Sequence, residues 1–87
     1  MDQLVIALTL YSRLGCHLCD DMKAIIDRVM RETGAPVALE EVDISRDAEL
    51  ESRYGVEIPV LLVNGQKVAK YRVSEEELRK MLTSRAG

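Results

Sequence analysis

Phenylalanine and tryptophan are absent from this 87-residue sequence, and three tyrosines supply its only large aromatic rings. Any hydrophobic core must therefore be aliphatic, built from Leu, Ile, Val and Met. A basic cluster is also missing: 12 Lys and Arg stand against 15 Asp and Glu, a formal net charge of −3. Nucleic-acid binders draw most of their affinity from phosphate neutralisation, so no nucleic-acid partner is expected. No apolar run approaches the roughly 20 residues of a membrane-spanning helix, so no membrane partner is expected either. The opening stretch "M-D-Q-L-V-I-A-L-T-L" lacks a basic leader and a small-residue cleavage site, and does not read as a signal peptide. The expected compartment is cytoplasmic, where permanent disulfides are rare. The sequence shows no phosphate-binding loop and no G-x-S-x-G elbow, and it has a single histidine.

What is present suffices for one folded domain, residues 1–87. Hydrophobic residues make up 47% of the chain, and a chain this short cannot form two independent cores. "L-V-I-A-L-T-L-Y", residues 4–11, predicts a strand buried on both faces. Met22, Ile25, Ile26, Val29 and Met30 recur at helical spacing, and Gly34 and Pro36 end that helix. Residues 37–44 predict a second strand, completing a βαβ unit with a right-handed crossover. Ser45 is the expected N-cap of a short helix over 46–54, with Leu50 and Tyr54 facing inward and Gly55 ending it. Asn64-Gly65 signals a type I′ hairpin, and Lys67 and Lys70 suit an edge strand. "S-E-E-E", residues 74–77, is a capping box with Ser74 at N-cap and Glu77 at N3. Leu78, Met81 and Leu82 give the last helix its buried stripe. The expected order is β-α-β-α-β-β-α around one sheet.

Both cysteines fall in "Y-S-R-L-G-C-H-L-C-D-D", residues 11–21, where the first strand passes into the first helix. Three readings compete. A structural zinc site needs four N or S ligands, and Cys16, His17 and Cys19 come with no second pair. Two buried apolar fillers would suit cysteine chemistry, but not a position at a strand–helix turn with Gly15 just before it. A working dithiol accounts for more. A sulfur at a helix start faces unpaired N–H groups and the positive end of the dipole, which favour thiolate. Cys19 lies one turn on, at ~5–6 Å between Cβ atoms in a regular helix, close to the ~3.5–4.5 Å of a disulfide. Cys16 is then the attacking thiol and Cys19 the resolving one. Arg13 and any charge on His17 would favour the thiolate, and Asp20 and Asp21 would oppose it. His17 is equally well read as an exposed polar residue at a helix start.

With these stretches in view, the sequence resembles the glutaredoxin-like branch of the thioredoxin-fold superfamily over nearly its whole length. "L-T-L-Y-S-R-L-G-C-H-L-C" is similar to the first strand and active-site turn of that family. "E-V-D-I-S-R-D" resembles the end of its second strand, and "Y-G-V-E-I-P-V-L-L-V-N-G" the segment carrying its cis-proline. The resemblance implies an α/β fold with a single four-stranded mixed sheet flanked by helices. It implies that Pro59 is cis, faces the dithiol, and follows a backbone at Ile58 that pairs with extended substrate by β-augmentation. Arg13 and His17 complete the expected substrate-binding set.

The sequence departs from the family in two places. C-H-L-C replaces the common C-P-Y-C. The Gly-Gly pair and acidic residue that receive the γ-glutamyl end of glutathione are replaced by "K-Y-R-V-S-E-E-E". The expected function is thiol–disulfide oxidoreduction of protein or low-molecular-weight disulfides, with no metal and no organic cofactor. A thioredoxin-type or glutathione reductant restores the dithiol, and the chain is expected to act as a monomer. The rival class is a redox-sensing or iron–sulfur-carrying adaptor that uses the same cysteines without catalysis.

Overall fold

The computed structural model describes residues 5–86. Leu4, which the expected first strand includes, lies outside the described residues. Four strands form one sheet: β1 (Ile6–Ser12), β2 (Val37–Asp43), β3 (Val60–Val63) and β4 (Gln66–Lys70). Three α-helices accompany them: α1 (His17–Thr33), α2 (Ala48–Tyr54) and α3 (Glu75–Ala86). The spatial order is β2-β1-β3-β4, with β1 parallel to β2 and antiparallel to β3, and β4 antiparallel to β3.

The core is aliphatic, as the missing Phe and Trp require. Ile6, Leu8 and Leu10 of β1 and Leu61 and Val63 of β3 meet Met22, Ile26 and Val29 of α1 and Leu78 and Leu82 of α3. Leu8 lies opposite Val63, and Leu10 opposite Leu61, so both strands present one apolar face to the same two helices.

Burial of β1 on both faces is corrected. Ile6, Leu8, Leu10 and Ser12 are buried, whereas Ala7 is exposed and Thr9 and Tyr11 are half-buried. The cause is the length of the second cover. A seven-residue strand runs about 23 Å, and the seven-residue α2 is only about 10 Å long. α2 shields the Tyr11 end, where Val60 is fully buried, and leaves the Ala7 end open.

The entry to α2 also differs. Residues Ile44–Arg46 form a 3-10 turn, and the N-cap of α2 is Asp47, whose carboxylate accepts from the N–H groups of Glu49 and Leu50. Ser45 instead donates its N–H and hydroxyl to Asp43 Oδ1, at 3.0 and 2.7 Å. Those bonds hold the Asp43 carboxyl below its ordinary pKa. Aspartate is as good an N-cap as serine, and Asp47, two residues after Ser45, takes the position.

Three further local signals are met. Gly34 caps α1 at φ 64°. Asn64 and Gly65 both take positive φ, 50° and 85°, as a type I′ turn requires. Asn64 also clamps β1, accepting from Ala7 N–H through its side chain and donating to Ala7 carbonyl through its main chain. Ser74 Oγ accepts from Glu77 N–H at 3.0 Å, and Glu77 Oε1 accepts from Ser74 N–H at 3.3 Å, closing the capping box.

This box is exposed and touches no core group, so its loss should read out cleanly. Ser74→Ala should lower unfolding stability by about 1 kcal/mol, measured by urea titration, while Glu77→Gln, which keeps the reciprocal geometry, should cost less.

Candidate functional site

The site begins with a turn. The N–H of Cys16 donates to the Arg13 carbonyl at 3.3 Å, and Gly15 between them takes φ 81°. That left-handed backbone suits glycine at the third turn position. Cys16 then stands at the N-cap of α1 in extended conformation, φ −94° and ψ 108°. Its sulfur accepts from the N–H of Cys19 at 3.1 Å, taking the place of a serine or aspartate oxygen. The carbonyl of Cys16 accepts from Asp20, the first bond of the helix.

The two cysteines are joined as a disulfide, with Cα atoms 5.2 Å apart. They are not equivalent. Cys16 is half-buried, and Cys19 is 2% exposed beneath it. His17 is exposed on the first turn, and Leu18 is half-buried between the cysteines. Asp20 and Asp21 are exposed. Among the described residues no group of three or more His, Cys, Asp or Glu is arranged to hold a metal.

Arg13, expected to favour the Cys16 thiolate and to help bind substrate, has a carboxylate partner in α2. Its guanidinium pairs with Glu51 of α2, so its charge is compensated and the positive field at Cys16 falls to the helix N-terminus. The pair ties the active-site turn to α2. A second tie lies next to it: the rings of Tyr11 and Tyr54 stack at 4.8 Å between centroids. Gly55 closes the space behind the ion pair, since a Cβ there would stand 2.5 Å from the Glu51 carbonyl oxygen and 2.9 Å from its carboxylate. Below the turn, buried Ser12 donates to Glu41, which also accepts from Lys23 of α1 at 3.0 Å. That bond raises the Lys23 pKa above its ordinary value.

Residues 55–58 lead from α2 to β3, and the Ile58–Pro59 peptide is cis. The Tyr54 carbonyl accepts from both Glu57 and Ile58 N–H groups. Ile58 therefore has its donor committed within the chain, while its carbonyl has no partner among the described residues. Glu57 accepts from Lys67 of β4 at 2.9 Å, which holds its carboxyl below the ordinary value. That link is complete above about pH 4.3, the unperturbed value, and is lost as pH falls through the depressed one.

Three of the four exposed large hydrophobic residues among those described surround this end of the molecule. Leu14 precedes the dithiol, Val56 precedes Ile58, and Tyr71 follows β4. A groove of about 410 Å³ includes Leu18, Met22, Tyr71 and Arg72 in its lining. A larger one of about 990 Å³ includes Arg13, Gly15, Asp43 and Arg46, but neither cysteine. The smaller groove has no cysteine in its lining either; it reaches Leu18, between the two cysteines, and the larger reaches Gly15 and Asp20, which flank them.

Sequence reasoning missed Glu51, Val56 and Tyr71. Glu51 meets Arg13 across 38 positions, a distance at which no local pattern speaks. Tyr71 lies in the segment noted for its missing glycines. Its φ of 70° keeps a backbone that glycine would favour, and a tyrosine gives no sequence signal of that.

Comparison with known proteins agrees with this geometry. A family model described as a glutaredoxin-like domain (DUF836) matches residues 7–83. A structure of a target protein from X. campestris is 36% identical, with 88% of this chain and 96% of that one covered and a TM-score of 0.72. A protein from Nitrosomonas europaea is 26% identical over 94% of this chain and 99% of that one, with a TM-score of 0.74. A mutant thioredoxin from Halobacterium salinarum is 21% identical, with 94% of this chain and 75% of that one covered and a TM-score of 0.68. That last likeness identifies the fold, which is thioredoxin-like.

The Arg13–Glu51 pair predicts a modest coupling, because its side chains are 37% and 42% exposed. A double-mutant cycle with Arg13→Ala and Glu51→Ala, read by urea unfolding, should give between about 0.2 and 1 kcal/mol. A larger value would mean that the pair is shielded far better than its exposure implies.

Proposed function

The chain belongs to the family of glutaredoxin-like domains, and on that basis we propose that it is a cytoplasmic dithiol thiol–disulfide oxidoreductase. The observation that carries the reading is the asymmetric pair at the start of α1. Cys16 is accessible and capped by an N–H group, and Cys19 is buried within bonding distance behind it. An accessible thiolate attacks, and a shielded thiol resolves.

The reduced form acts in two exchanges. Cys16 thiolate attacks one sulfur of a substrate disulfide. A Cys16–substrate bond forms, the substrate S–S bond breaks, and the first substrate thiolate leaves and takes a proton from solvent. Cys19 then gives up its proton and attacks Cys16 Sγ. The intrachain disulfide forms, the mixed disulfide breaks, and the second substrate thiolate departs. Two electrons have passed from the dithiol to the substrate, and an external thiol reductant returns them. The helix N-terminus favours the Cys16 thiolate that opens the first exchange, and in the second the leaving group is the substrate sulfur.

Substrate recognition follows from the surroundings. Leu14, at 89% exposure, and Val56, at 86%, give an apolar rim to which a protein disulfide can dock. The Ile58 carbonyl accepts one N–H from an extended substrate segment. His17, exposed on the first turn of α1, contacts the substrate.

Glutathione is a poor fit. At the turn after β4 a tyrosine and an arginine stand where the family's glycines allow close approach of a ligand backbone. The three glutamates of α3 repel a carboxylate less than their number suggests. Glu75 pairs with Arg28 and Arg79, Glu76 with Lys80, and Glu77 with Ser74. The lost approach is the main effect, and about a tenfold loss of affinity relative to ordinary glutaredoxins is expected, equivalent to about 1.4 kcal/mol.

Two measurements test the reading. Cys16→Ser should abolish reduction of a generic disulfide. Cys19→Ser should keep the first exchange and accumulate mixed disulfide. Equal loss of the first exchange in both variants contradicts the assignment, and a wild type without turnover favours a redox-sensing role for the same pair. At matched potential, thioredoxin should reduce the oxidised protein faster than glutathione does. Saturable and faster reduction by glutathione would show that the turn after β4 has been misread.

A further inference from the structure

The loop that carries Ile58 is held by α2 on one side, through the Tyr54 carbonyl. A single residue just after β4 brackets it from the other. The main-chain N–H of Tyr71 donates to the Pro59 carbonyl at 2.8 Å, and its phenol donates to the Val56 carbonyl at 3.0 Å. The two acceptors lie on either side of Ile58 in the chain. Tyr71 makes both bonds from a left-handed conformation, φ 70°, which a bulky residue rarely adopts. Glycine would occupy that backbone without steric cost, but it would have no phenol to reach Val56. The ring is 42% exposed, so core packing does not account for it. Lys70 Nζ stands 5.5 Å from its centroid and steadies it by a cation–π contact. Tyr71 lines a groove together with Leu18 of the C-H-L-C turn, and backbone held in a sparsely populated region at such a place points to a role in function.

From these observations we propose that Tyr71 is a positioning residue whose phenol strap fixes the Ile58 carbonyl beside Cys16 and so favours extended peptide disulfides over small ones. The inference rests on the oxidoreductase reading and names the part of it that selects substrate. Tyr71 touches neither sulfur; it acts through Val56 and Ile58. A peptide that donates an N–H to the Ile58 carbonyl needs that loop in one place. A small dialkyl disulfide makes no such bond, and its reaction depends on Cys16 alone.

Tyr71→Phe keeps the ring, the Lys70 contact and the main-chain N–H, and removes only the O–H group. Tyr71→Gly also removes the strap while relieving the left-handed conformation, so a loss of fold stability cannot account for a shared effect. For both, kcat and KM are measured with an extended peptide disulfide and with bis(2-hydroxyethyl) disulfide, together with hydrogen exchange of the Glu57 and Ile58 amides. The peptide KM should rise roughly twofold to tenfold, the range carried by one neutral hydrogen bond, with its kcat and both constants for the small disulfide little changed. Exchange of the two amides should accelerate. An unchanged peptide KM, or equal losses on both substrates, overturns the proposal. A wild type that reduces neither substrate refutes the oxidoreductase reading by itself. The strap is then judged by exchange alone: acceleration in Tyr71→Phe upholds the restraint on the loop, and unchanged exchange overturns it.

Discussion

A sulfur atom occupies the N-cap of α1, and the rest of the site is arranged around that bond. The N–H of Cys19 points at Cys16 Sγ because α1 begins at His17 and no earlier. The helix begins there because Gly15 turns the chain with a left-handed backbone that continues no helix. Its axis is set by Met22, Ile26 and Val29, which lock one face onto β1 and α3. The aliphatic core therefore aims the helix, and the helix aims the sulfur. One N–H group both satisfies the helix end and favours a charge on Cys16, so capping and reactivity are a single interaction. The neighbouring cation does not contribute much, since Arg13 is compensated by Glu51.

The opposite wall of the site depends on a helix too short to be held by burial. α2 has seven residues, and none of them is fully buried. Discrete ties replace a packed face: the Arg13–Glu51 pair, the stacked Tyr11 and Tyr54 rings, the Glu57–Lys67 bond and the Tyr71 strap. Each is partly exposed and individually weak. Together they fix a loop that would otherwise be drawn from the low-stability end of the molecule. This gives the site one rigid half, the dithiol on α1, and one half whose order is set by a few side chains.

The parts of the fold governed by local rules were legible in the sequence. Gly34, Asn64-Gly65 and the Ser74–Glu77 box act within four residues of themselves, and each stands where its chemistry put it. The dithiol was legible for the same reason, because spacing, glycine turn and helix start lie in one short stretch. Interactions decided by assembly were not. Ala7 is exposed because α2 is shorter than the strand it covers, and a run of apolar residues does not report the size of its cover. Asp47 rather than Ser45 caps α2 because both satisfy the same rule. Arg13 finds Glu51, and Tyr71 finds Val56, only once the sheet has brought distant segments together.

The central claim is that the helix start makes Cys16 the reactive sulfur, and the pH dependence of thiolate absorbance in the reduced protein tests it most directly. Wild type should show a thiol ionising below the free value of about 8.5, present in Cys19→Ser and absent from Cys16→Ser. A Cys16 value at or above that of a free thiol, or a low value that belongs to Cys19, would contradict the account.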